Sequence, residues 1–125
     1  MRRVELDEKE HAFGILQRLN SMKGDRTHCD FTVSVNNDEY HAHRNILSAG
    51  TDYFNAMLTH DTRESQLGKV EMMDVDSECV KVCIDYIYTG KANVPDGKIE
   101  ELIHVAHLMQ LDMLFEGLVK IFLRA

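Results

Sequence analysis

A chain of 125 residues, 44% hydrophobic and with a single proline, has the composition of one folded domain rather than a disordered segment. Its formal net charge of −7 argues against direct nucleic-acid binding, which needs clustered cations; only Arg2-Arg3 forms a basic pair. No apolar run reaches bilayer length, the acidic, polar N-terminus is unlike a signal peptide, and three cysteines suit reduced thiols in the cytoplasm or nucleus.

Asp7 to Met22 reads as an amphipathic helix. Ala12, Ile15, Leu16, Leu19 and Met22 recur at helical spacing, and Asp7 and Glu8 sit where the helix dipole favours anions. Lys23-Gly24-Asp25 ends it. Phe31, Val33 and Val35 then alternate with Asp30, Thr32 and Ser34, the period of a half-buried strand. Asn36-Asn37-Asp38 supplies a hairpin turn, and Glu39 to Ala42 returns as a second strand. A short helix opens at Arg44-Asn45-Ile46-Leu47, and Thr51 or Asp52 caps another carrying Tyr53, Phe54, Met57 and Leu58.

Asp61 to Gly68 reads as a polar connection and Lys69 to Met72 as a short strand. Asp76 or Ser77 caps a helix with a buried stripe of Val80, Cys83, Ile84 and Ile87, stopped by Tyr88-Thr89-Gly90. Ala92-Asn93-Val94 is expected as a short edge strand, because Pro95 cannot extend a ladder. Ile99 to Leu111 buries Leu102, Ile103, Ala106 and Met109, and Asp112 to Leu123 buries Leu114, Leu118, Ile121 and Phe122. Mostly helix with a small sheet is an α+β class.

Catalytic groupings are not apparent: there is no GxSxG elbow, no Gly-rich phosphate loop and no HExxH helix. His41 and His43 share one strand face, but a metal needs three or four convergent ligands. Cys79 and Cys83 with His104 and His107 do not have the spacing of a compact zinc module, and cysteines on an apolar stripe usually fill core volume. No metal or other cofactor is expected, and no enzymatic activity. Asp30 and Arg44 come close if the hairpin is tight, and if buried they must pair.

Several segments together resemble the BTB/POZ domain, most closely that of kelch-repeat proteins. They are Cys29-Asp30-Phe31-Thr32-Val33, His41 to Ala49, Tyr53-Phe54-Asn55-Ala56-Met57, Asp85 to Gly90 and Leu102 to Leu111. The resemblance implies a cluster of helices over a small sheet in a two-fold dimer, as a single domain over residues 1–125 with its core from 29 onward. It implies a dimerisation helix over 7–23 and a dimer interface holding Phe13, Ile15, Leu16, Leu19, Asp30 and Arg44. Residues 1–6 are expected to cross as a strand to the partner's Ala92-Asn93-Val94, in a homodimer or in a heterodimer with another BTB chain.

Many kelch-type members recruit cullin-3 as substrate adaptors of a ubiquitin ligase, and the same role is implied here. The aligned contact residues are Tyr53, Phe54, Asn55, Met57, Thr62, Glu64, His107 and Met109. The family's motif has an apolar residue two positions before the glutamate. Thr62 stands there instead, a loss of order 1–2 kcal/mol of apolar burial. The alternative implied role is the dimerisation module of a transcriptional repressor that binds corepressor peptides.

Overall fold

In a computed structural model that describes Met1 to Arg124, the alternating run becomes strand β1 (Phe31–Val35). The end of the expected domain, Ala125, lies outside the described residues. Asn36, with φ 56, turns the chain into β2 (Asp38–Ala42), which pairs antiparallel with β1 and sets Val33 opposite Tyr40. Asn tolerates that left-handed backbone where most residues do not. Strand β3 (Lys69–Met72) joins the other side of β1 in parallel, so the sheet order is β2-β1-β3.

Seven α-helices surround this sheet among the described residues. They are α1 (His11–Gly24), α2 (Arg44–Gly50), α3 (Asp52–Thr59), α4 (Arg63–Leu67), α5 (Ser77–Thr89), α6 (Ile99–Leu108) and α7 (Asp112–Arg124). Thr51 caps α3 by accepting the Phe54 N–H, and Asp76 caps α5 by accepting the Cys79 N–H. Gly90, with φ +73, ends α5 in the left-handed conformation that favours glycine. One buried cluster joins sheet and helices through Phe31, Val33, Leu47, Phe54, Ile84 and Leu102. Val105, which the periodicity did not single out, is also fully buried.

Four expectations need correction. Helix α1 begins at His11 and not at Asp7, whose carboxylate instead meets Lys9 in solvent at 2.8 Å; Glu10 gives no capping bond. The polar connection over Asp61 to Gly68 contains α4, capped by Thr62 and closed by Gly68 at φ +69. Ala92-Asn93-Val94 forms no strand and pairs with none of the three strands of the sheet among the described residues. Ile121 and Phe122 are exposed rather than buried, at the last turns of α7 beside Ile99 over an open hollow.

Helix α1 lies against α5, and charge ties the two together. Lys23 Nζ is 2.6 Å from Asp85, which also takes Lys81 at 2.9 Å. Burial alone would raise the Asp85 carboxyl, but the bonds from the two lysines hold it below its ordinary value. That contribution to stability is complete above the ordinary carboxylate range and is lost as pH falls through the depressed folded value. We therefore expect the Asp85→Asn variant to show a flatter loss of stability below about pH 4, read as urea midpoint against pH. Identical acid limbs in parent and variant would contradict the assignment.

Candidate protein-interaction surfaces

Asp30 lies just before β1 and Arg44 opens α2, and the hairpin brings them together. The Arg44 main-chain N–H donates to Asp30 Oδ1 at 2.7 Å, which caps a helix whose own N-cap residue, His43, makes no side-chain capping bond. Arg44 Nε donates to the Asp30 carbonyl at 3.1 Å, and the guanidinium stands 5.6 Å from the Phe31 ring centroid. The expected pair is thus real in place but different in kind. Each side chain binds the other residue's main chain, with Asp30 exposed and Arg44 half-buried in the single chain. A Cβ on Gly68 would come within 3.2 Å of Arg44 Nη2, so glycine there leaves room for the guanidinium.

His43 belongs to the interior. Its Nε2–H donates to the Thr27 carbonyl at 3.0 Å, and its Nδ1 accepts the Tyr88 hydroxyl proton at 2.7 Å, a tautomer assigned from these partners. The Tyr88 oxygen in turn accepts the His43 main-chain N–H at 2.9 Å. Burial pushes the Tyr88 hydroxyl up to about 12. His41 takes a separate partner, Thr32 Oγ1 at 3.1 Å, and its Nε2 is buried without one, so the two imidazoles do not form one face. Cys79 and Cys83 are fully buried and pushed up to about 12, mainly by burial, whereas His104 and His107 are exposed. Among the described residues no three His, Cys, Asp or Glu side chains converge as metal ligands.

The second surface is built from α3 and α4. Tyr53 and Met57 are half-buried and Asn55 is exposed on α3. Glu64 on α4 is half-buried, α4 packs against α3, and the Glu64 charge adds to burial in raising the Tyr53 hydroxyl. Thr62 donates to the Met57 carbonyl at 2.8 Å and accepts the Ser65 N–H at 3.0 Å, so its hydroxyl locks α4 onto the end of α3. Two residues expected on this face are not on it. Phe54 and Met109 are both 0% exposed, Phe54 standing edge-on to Phe31 with centroids 6.4 Å apart. Both belong to the buried core cluster. His107 is exposed and packs near Phe115.

The third surface is α1, none of whose residues is buried. Leu19 packs onto the core and Leu16 is half-buried, while Phe13 and Ile15 are 46% and 50% exposed. Residues 1–6 belong to no helix or strand, and Val4 and Leu6 are uncovered. No helix among the described residues is long and apolar enough to cross a membrane.

Comparison with known proteins gives the same picture for the family as for the fold. The BTB/POZ domain family matches residues 19–124. Kelch-like protein 3 of Mus musculus is 38% identical over 93 residues, covering 74% of this chain and 16% of that protein. Kelch repeat and BTB domain-containing protein 6 of Homo sapiens is 32% identical over 121 residues, covering 90% of this chain and 18% of that protein. The chain thus spans less than a fifth of the length of these curated relatives. Among solved structures, the BTB domain of zebrafish PATZ1 superposes with a TM-score of 0.87 at 21% identity, covering 98% of this chain and 100% of that one. The BTB domain of human gigaxonin superposes at 0.82, also at 21% identity, covering 97% of this chain and 98% of that one. At that identity the likeness speaks for the fold alone.

Proposed function

The chain belongs to the BTB/POZ family, and from that premise we propose that it is a non-enzymatic dimerisation module that docks cullin-3 as part of a ubiquitin-ligase substrate adaptor. The observation that carries the adaptor reading is Glu64. It keeps the family's glutamate on α4, which packs against the helix carrying Tyr53, Asn55 and Met57, in a chain whose curated relatives are kelch-like over most of its length. His107, exposed on α6, is proposed to extend that face. No chemistry is asked of the module; it would bring a cullin and a substrate-bearing chain together inside the cell.

Dimerisation is supported by the apolar residues left uncovered on α1. Phe13 and Ile15 at half exposure, with Leu16 beside them, suit an isologous contact with the same helix of a second copy. In the proposed dimer Asp30 and Arg44 line the floor of that contact, and residues 1–6 reach the partner's Ala92-Asn93-Val94, a segment that joins no sheet among the described residues. A heterodimer with another BTB chain would use the same surfaces.

Light scattering at micromolar concentration should return twice the 14.4 kDa chain mass, and Leu16→Asp should shift the protein to monomer or unfold it by setting a charge in the contact. A parent protein of 14.4 kDa in that experiment overturns the dimer. Calorimetric titration with the cullin-3 N-terminal domain tests the adaptor reading. An intact dimer that gives no heat with cullin-3 but binds a corepressor peptide would replace it with the repressor role.

A further inference from the structure

In the kelch-type pattern the apolar anchor sits two residues before the glutamate, and here that residue is Thr62. Its hydroxyl is fully engaged within the chain, as donor to Met57 and as acceptor from Ser65. A side chain held by both bonds at an N-cap serves the α3–α4 junction and has only a single methyl to offer a partner. Leu67 has the opposite character. It stands three residues after Glu64, and so on the same face of α4, and it is 66% exposed. With Arg63, Glu64, Lys69, Val70 and Glu71 it lines a shallow cavity of about 300 Å³ between α4 and the outer edge of β3. Glu64 therefore borders this cavity from a helix that packs against α3 and is tied to its end through Thr62.

We infer that in this chain Leu67, acting with Glu64, supplies the apolar anchor of the docking face, and that Thr62 is a positioning residue that holds α4 so that both project together. The inference rests on the cullin-3 reading above and names the residue that makes the contact specific. The rim chemistry fits such a partner. Two cations, Arg63 and Lys69, the latter paired with Glu39 at 3.0 Å, and two carboxylates, Glu64 and Glu71, line it with Leu67 and Val70. An apolar side chain on a helix, flanked by polar groups of both signs, complements that rim; a uniformly anionic surface does not.

The test is calorimetric titration of the cullin-3 N-terminal domain into the 125-residue chain and into Leu67→Ala, Thr62→Ser and Thr62→Met. Leu67→Ala should weaken binding about tenfold, the scale of one lost anchor, with an unchanged melting temperature because the side chain is exposed. Thr62→Ser, which keeps both hydroxyl bonds, should bind like the parent. Thr62→Met, which loses them, should bind no tighter. The inference is overturned if Thr62→Met gains tenfold, or is the single form that binds, while Leu67→Ala matches its parent; the adaptor reading would then stand with its anchor at residue 62. Silence from every form with the dimer intact removes the adaptor reading and the anchor with it.

Discussion

Truncating Phe54 to alanine is expected to destabilise the protein by about 3–5 kcal/mol, the range for a large aromatic removed from a packed core. The ring is 0% exposed and is wedged between Phe31, at 6.4 Å, and Tyr53, at 5.0 Å, so its loss opens a cavity where β1, α2 and α3 meet. Urea unfolding followed by circular dichroism measures the effect. Asn55→Ala, one residue along and exposed, should stay within about 0.5 kcal/mol of the parent and serves as the control. The comparison matters because Phe54 falls within a segment expected to touch a partner. If Phe54→Ala keeps parental stability and still loses partner binding, Phe54 is a contact residue and its assignment to the core is wrong.

Removing one oxygen atom at Tyr88 should cost nearly as much. Tyr88→Phe keeps the ring but leaves the His43 main-chain N–H and Nδ1 without their partner, in a site where His43 is 5% exposed. Each buried polar group left unpaired costs about 1–3 kcal/mol, so a loss of about 2–3 kcal/mol is expected. Three segments are joined here: the loop at Thr27, the end of β2 and the last turn of α5. A double-mutant cycle with His43→Leu should show coupling, because the second change removes an atom that the first left unpaired. Strict additivity of the two effects would mean that the hydroxyl and the imidazole act independently, against the geometry.

These two residues differ in how they could be read beforehand. Phe54 sits at a helical position whose burial follows from spacing, but the same spacing cannot separate a core residue from one beneath a docking face. Tyr88 and His43 are 45 residues apart, and no local pattern joins them. Buried polar pairs of this kind are set by where two elements cross. His43 was legible only as the neighbour of His41, and the strand period suggested a shared face that the chain, leaving β2 at Ala42, does not keep. Helix α4 had a readable signal in Thr62 and Gly68, a cap and a left-handed stop bracketing five residues. Five residues are too few to show a helical period, so the segment reads as polar loop.

The Asp30–Arg44 site was half legible. The hairpin turn brought the two positions together, because register follows from the Asn36 turn and the alternation of Phe31, Val33 and Val35. Which atoms meet depends on the exact entry of α2, whose first N–H falls on the Asp30 carboxylate.

By itself, then, the sequence determined what is local: the period-two strand, caps narrowed to Thr51 or Asp52 and to Asp76 or Ser77, the stop at Gly90 and the apolar stripes of α5 and α6. Those follow from sterics, hydrogen bonding within a few residues, and the need to bury one face. Its combination of motifs also identified the family. Only the tertiary structure decided the rest. It placed Phe54 and Met109 in the core, turned the Thr62 hydroxyl inward and left Leu67 outward, and left Ala92-Asn93-Val94 out of the sheet. Burial and pairing are properties of two elements in contact, and the free energy that selects them arises only when distant parts of the chain exclude water from each other.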